Sequence, residues 1–272
     1  TVIQVRTGVG NTEKADIGAV IGQGTIGGAI ASQGCLDDGI RGQFQGSQEE
    51  LRYGSVEMGP LLFQDDLLEG SPGVIEARSA NIRVAMVMKE KRLSLNEDKS
   101  VCLVWGSPGQ QEAIREELKE RPLKCGDDVT VKLTESDKWL GDYLHCGGLA
   151  ASVTETLRKR DGKVRGAGLE IAAIVDDWRA ATVGGFVSGL FLWESCCLPS
   201  LLYNAGSWVD MSRQAERQAE GLQTWYLRLL LRQGPGVPAG SMLWETGTLS
   251  VALRARKSTR LNSSHLKLSR MP

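Results

Sequence analysis

Two short stretches carry residues whose types and spacing could do chemistry. Phe63-Gln64-Asp65-Asp66 lies between Leu61-Leu62 and Leu67-Leu68. Two apolar strands meeting at carboxylates predict a hairpin that lifts Asp side chains to a sheet edge. Adjacent carboxylates are also ordinary turn chemistry, and Asp37-Asp38, Asp127-Asp128 and Asp176-Asp177 repeat the pair, so alone it has little specificity. The second stretch, Gly22-Gln23-Gly24-Thr25-Ile26-Gly27, follows the strand-like Ile17 to Ile21 and precedes Gly28-Ala29-Ile30-Ala31. In a dinucleotide-binding fold such glycines permit a tight turn and bring a pyrophosphate to a helix N-terminus, which would make the chain an NAD(P)-dependent oxidoreductase.

The dinucleotide reading requires a second buried parallel strand ending in an acid about 20 residues further on. Here the helix-like stretch breaks at Gly34, and residues 39–50 are too polar and glycine-rich for a strand buried on both faces. Glu49 has a suitable offset but belongs to no such strand. The oxidoreductase stays as an alternative.

Counts remove several other chemistries. His145 and His265 are the only histidines, which excludes histidine-rich metal sites, and a Ser-His-Asp triad would have to use His145, whose place at the end of an apolar stretch reads as structural. Cys35, Cys102, Cys125, Cys146, Cys196 and Cys197 contain no Cys-x-x-Cys pair, so neither a zinc site nor a disulfide framework is indicated and reduced thiols in an intracellular protein are expected.

The elements that must position the motifs come from a globular composition, 41% apolar and 24% charged over 272 residues, which excludes disorder, collagen and coiled coil. Residues 257–272 have no apolar period and resemble a translated sequencing adapter, so they are set aside. That tail carries Lys257, Arg260, Lys267 and Arg270 and no acid, leaving 28 Lys+Arg against 33 Asp+Glu, a net of −5 with no bulk basic footprint. The chain opens Thr1-Val2-Ile3 without an initiator Met or a signal peptide and reads as a fragment.

Strands are expected around a polar turn within residues 1–22, then a helix-like stretch from Gly22 to about Leu36, a strand at Tyr53–Met58, and an amphipathic helix over 73–91 through Val74, Ala77, Ile82, Ala85 and Met86. A buried strand Val101–Trp105, a short helix Glu112–Lys119 and strands Asp128–Leu133 and Lys138–Leu144 follow. Beyond about Gly148 the pattern is helical, with a buried helix pair over 181–203, where Glu194 and Pro199 argue against a membrane span, and an amphipathic helix over Ser212–Arg232.

Taken in order, Gln23-Gly24-Thr25, Phe63-Gln64-Asp65-Asp66, Leu93-Ser94-Leu95-Asn96-Glu97-Asp98-Lys99 and Trp139-Leu140-Gly141 resemble the later palm motifs of the reverse transcriptases of non-LTR (LINE-like) retrotransposons. The resemblance covers roughly residues 5–256, since Trp193–Trp208 and Leu222–Thr248 look like the thumb and following region. It implies an α+β chain: a partial palm over 1–148, with an antiparallel sheet and helices on one face, then a helical thumb-like region over 149–256.

The resemblance also implies roles. Asp65, with Asp66 beside it, would hold Mg2+ (or Mn2+) for nucleotidyl transfer onto a primer 3′-hydroxyl. Lys99 would serve the leaving pyrophosphate, Gln23, Gly24 and Thr25 would line the nucleotide and template pocket, and Phe63 would pack beneath the primer terminus. Trp139, Leu140 and Gly141 would form the hairpin of a primer grip. The expected partners are an RNA template, a DNA or RNA primer and deoxynucleoside triphosphates, with no membrane. In the family, a strand bearing another metal-binding Asp and the basic fingers precede the glycine turn; neither is in this sequence, and Asp16 does not match, so the chain alone is expected to be inactive. A remnant of a decayed element, inert or merely binding nucleic acid, is the non-enzyme alternative.

Overall fold

The computed structural model describes short strands within residues 1–58, positions 40 and 43, and residues 60–257 apart from 64–65, 92, 94, 127–128, 182–183 and 209–210. The chain is α+β and forms two compact units, Thr1–Cys102 with Ile114–Lys132, and Leu103–Ala113 with Leu133–Pro272. The partition therefore falls upstream of Gly148.

In the first unit β1 (Val2–Ile3) pairs with β4 (Ala15–Asp16), β2 (Arg6–Thr7) with β3 (Gly10–Asn11), β5 (Leu51–Tyr53) with β6 (Val56–Met58), and β7 (Leu61–Phe63) with β8 (Asp66–Leu68), all antiparallel. Among the described residues these are separate two-stranded ladders rather than the single palm sheet that the resemblance implies. The expected strand Tyr53–Met58 is half of the β5–β6 hairpin. Ile17–Ile21 and the helix-like stretch from Gly22 lie outside the described residues.

Helix α1 (Val74–Glu90) forms where expected but turns differently. Its buried face is Ala80, Val84, Val87 and Met88, packed with Ile40 and Cys125 and with half-buried Leu67, Leu95 and Val129, whereas Ile82 and Met86 are exposed. Both faces of this helix are apolar, so periodicity alone cannot choose between them; the neighbouring strands do. Next, β9 is only Val101–Cys102, and Trp105, expected in a buried strand, is half exposed. Helix α2 (Pro108–Glu120) starts four residues before Glu112 because Pro108 suits the first helical position and Ser107 accepts at both its carbonyl and its hydroxyl. β10 (Lys124–Cys125) pairs with β11 (Val129–Thr130), whereas β12 (Lys132–Leu133) pairs with β9, so the expected strand 128–133 is broken at Val131.

The second unit is built on α3 (Leu149–Ala181) and α6 (Arg213–Leu231). Val153, Leu157, Val164, Ile171 and Val175 of α3 recur on one helical stripe and meet Ala215, Ala219, Leu222, Tyr226 and Leu230 of α6. α6 is capped by the Ser212 side chain, which accepts from Ala215 N, and closed by Arg232 in the left-handed conformation, the boundaries expected from sequence. The expected buried pair over 181–203 is instead a run of α4 (Gly185–Leu192), a π-helical turn Trp193–Cys197 and α5 (Leu198–Leu201), with Val187 and Phe191 exposed. Gly189 is required there, since a Cβ would lie 2.5 Å from Leu230 Cδ1. Tyr226 stacks on Trp193 at 4.3 Å and donates to Gly189 O at 2.8 Å. Helix α7 (Ala239–Thr246) and helical residues 251–257 complete the unit. Buried Gln223 donates to Leu249 O and accepts from Val251 N, fixing the entry to the last helix. Among the described residues no helix is long and apolar enough to cross a membrane.

Candidate functional site

The first motif forms the hairpin its sequence calls for. Leu61 pairs with Leu68, Leu62 with Leu67 and Phe63 with Asp66, so the last pair joins the aromatic to a carboxylate at the hairpin's end, and Asp66 is exposed. Gln64 and Asp65 lie outside the described residues, as do Gln23, Gly24, Thr25 and the whole Gly22–Gly27 turn. One residue past β8, Glu69 is half-buried; desolvation holds its carboxyl above the usual range, against a hydrogen bond from Ser71 that pulls it down.

Lys99 lies in an exposed turn, and among the described residues no ion pair holds it. Asn96 organises that turn: its side chain accepts from Asp98 N at 2.9 Å, and its carbonyl accepts from Lys99 N at 3.2 Å and from Ser100 Oγ at 2.8 Å. Asp98 is engaged by Lys132 at 2.7 Å, whose hydrogen bond holds the carboxyl below its ordinary range. Among the described residues no three His, Cys, Asp or Glu side chains come together as metal ligands. Asp66 alone does not make a magnesium site, because the ion needs several oxygen donors around it.

The third motif is the most fully built. The expected strand Lys138–Leu144 is a hairpin, β13 (Ser136–Trp139) and β14 (Asp142–His145), with Trp139 opposite Asp142. Leu140 at φ 48° and Gly141 at φ 90° give it the primed two-residue turn that matches the twist of paired strands. The first position strains a leucine, yet the turn is held by the helical part of its own unit. Asn204 Nδ2 donates to Leu140 O at 2.9 Å. Arg160 donates to Gly141 O at 2.7 Å and to Asp142 Oδ1 at 2.8 Å, and its other terminal nitrogen donates to Leu201 O at 3.0 Å and Tyr203 O at 2.8 Å. The Tyr203 ring closes over the turn, where a Cβ on Gly141 would meet its Cε1 at 2.6 Å.

Arg160 is the last rung of a ladder. Ser152 Oγ accepts from His145 N at 2.9 Å and Thr156 Oγ1 accepts from Tyr143 N at 2.8 Å. The three helical residues are spaced by four and the strand positions 145, 143 and 141 by two; about 6 Å of helix rise matches about 6.6 Å of strand. Burial pushes the Arg160 guanidinium down from its ordinary value, opposed by Asp142. Sequence reading missed Arg160, Asp142, Asn204 and Tyr203. A signal existed, because Ser152, Thr156 and Arg160 fall beside the apolar stripe of Val153, Leu157 and Val164.

His145 is structural, as expected from sequence: its Nδ1 accepts from Gly147 N at 2.9 Å and its carbonyl accepts from Trp105 Nε1 at 2.6 Å. Cys102, Cys125, Cys146, Cys196 and Cys197 are thiols, and Cys35 lies outside the described residues. No protein-family model, no curated protein and no solved structure matches this chain.

Proposed function

We propose that the chain is the later palm and the thumb-like region of an RNA-directed DNA polymerase of the non-LTR retroelement kind, acting by two-metal nucleotidyl transfer in its complete parent. The observation that carries the reading is that two of the sequence motifs sit at the tips of tight antiparallel hairpins, Phe63 opposite Asp66 and Trp139 opposite Asp142, in the order and separation that the resemblance requires. Every strand pair whose register is described is antiparallel, which fits a palm better than the parallel sheet of a dinucleotide-binding domain. Asp65 and Asp66 would be carboxylate ligands of Mg2+ or Mn2+, the ions that would activate the primer hydroxyl and neutralise the leaving pyrophosphate. Lys99, exposed on its Asn96-built turn, would meet the triphosphate; Gln23, Gly24, Thr25 and Phe63 would line the nucleotide and template pocket; Trp139 would face the primer.

The test is fluorescence anisotropy of the purified chain with a labelled DNA primer on an RNA template, recessed or blunt at the 3′ end, beside thermal melting with NADH. Binding near micromolar Kd at low salt with a preference for the recessed end is the expected result. A melting temperature raised by NADH without nucleic-acid binding would overturn it in favour of an oxidoreductase, and no response to either would reject both enzymes. Extension of the primer by this chain, abolished by Asp65→Asn, would overturn the view that its metal site is incomplete.

A further inference from the structure

We propose that Arg160 is the positioning residue of the Leu140-Gly141 turn, coupling the primer-facing hairpin to helix α3 so that the two move as one piece. This rests on the polymerase reading and concerns its primer site. The guanidinium is nearly enclosed, its side chain 11% exposed, and it uses both terminal nitrogens: one on Gly141 O and Asp142 Oδ1, the other on Leu201 O and Tyr203 O. It therefore ties three segments, the turn, the helix that carries it and the end of α5 with the residues just after it, through one planar group. Lysine cannot reproduce this, since an ammonium has three donors around one point whereas a guanidinium has a rigid fork of five.

Below Arg160, Ser152 and Thr156 hold the N–H groups of His145 and Tyr143, so β14 is fastened to α3 along its length. Of these three α3 residues Arg160 alone reaches beyond the strand to the turn. Asn204 fixes the other turn carbonyl, Leu140 O. Both turn oxygens are thus already bonded within the protein, which leaves primer contact to the side chains and N–H groups whose direction the clamp sets. The guanidinium also lies 5.8 Å from the Tyr203 ring centre and 5.9 Å from that of Trp208, so the aromatic lid over the turn depends on the same group.

The experiment uses the full chain with a primer–template carrying 2-aminopurine at the primer 3′ end, comparing wild type with Arg160→Lys, Arg160→Gln and Asn204→Ala, each checked by circular dichroism for a cooperative melt. Asn204→Ala removes a single turn bond and keeps the test usable if the Arg160 variants do not fold. The expected result is that Arg160→Lys retains duplex affinity but loses about tenfold of its recessed-over-blunt preference along with the 2-aminopurine signal, and that Asn204→Ala loses part of both. Unchanged end preference and signal in a folded Arg160→Lys or in Asn204→Ala would overturn the positioning role and leave the polymerase reading intact. Failure of the wild type to bind primer–template would overturn both.

Discussion

Gly141 and Gly148 provide a matched pair for measuring what the hairpin tip contributes. Both have positive φ, 90° and 94°, but a Cβ at Gly141 would stand 2.6 Å from Tyr203 Cε1, whereas none within 4 Å would be met at Gly148. Gly148→Ala therefore reads the backbone cost alone, about 1–2 kcal/mol for an L-residue forced to left-handed geometry. Gly141→Ala adds displacement of the Tyr203 ring. That ring is 55% exposed and can swing away, giving up its contact over Arg160 at about 0.5–1 kcal/mol. The total is about 1.5–3 kcal/mol, a fall in melting temperature of about 3–12 °C at the usual sensitivity of domains this large. Thermal and urea unfolding of both single variants, with Tyr203→Ala and Gly141→Ala/Tyr203→Ala to close a double-mutant cycle, gives the numbers. The cycle should show a coupling equal to the excess of Gly141→Ala over Gly148→Ala. Equal costs at the two glycines, or zero coupling to Tyr203, would refute the closure of the aromatic over the turn.

Three further outcomes follow from buried groups. Gln223→Met keeps the volume but strips the partners of Leu249 O and Val251 N, costing about 2–4 kcal/mol in urea unfolding and exposing residues 249–257 to early proteolysis. Burial, and then the neighbouring Cys196, pushes the Cys197 thiol up to about 11 from 9.0. A thiol with a raised folded pKa contributes stability that is complete below 9 and lost as pH rises toward 11, so the pH dependence of unfolding over that window should flatten in Cys197→Ala, while a disulfide reagent at pH 8 labels exposed Cys196 first. The Glu69 carboxyl is likewise raised by burial, so its penalty is absent below about pH 4.5 and grows as pH rises through its folded pKa; Glu69→Gln should raise the melting temperature at pH 7 and leave it nearly unchanged at pH 4.

What the sequence by itself determined is local. Two short apolar runs meeting at Gln64-Asp65 dictate a hairpin, because two residues suffice for antiparallel strands to return. The limits of α6 at Ser212 and Arg232 and its apolar side through Leu222, Tyr226 and Leu230 are written within one segment, whereas Trp225 and Leu229, expected on that side, are only half-buried and Ala215, Ala219 and Leu227 are buried instead. Where a segment carries two apolar faces or a turn within a strand-like run, local pattern is degenerate. That is why α1 buries Ala80, Val84 and Val87 rather than Ile82 and Met86, and why Lys138–Leu144 folds back at Leu140-Gly141. The clamp on that turn was decided only by tertiary structure: Arg160, Asp142 and Asn204 are separated by up to 62 positions, and their hydrogen bonds exist only once α3 has packed along β14 and the chain after α5 has returned to meet them.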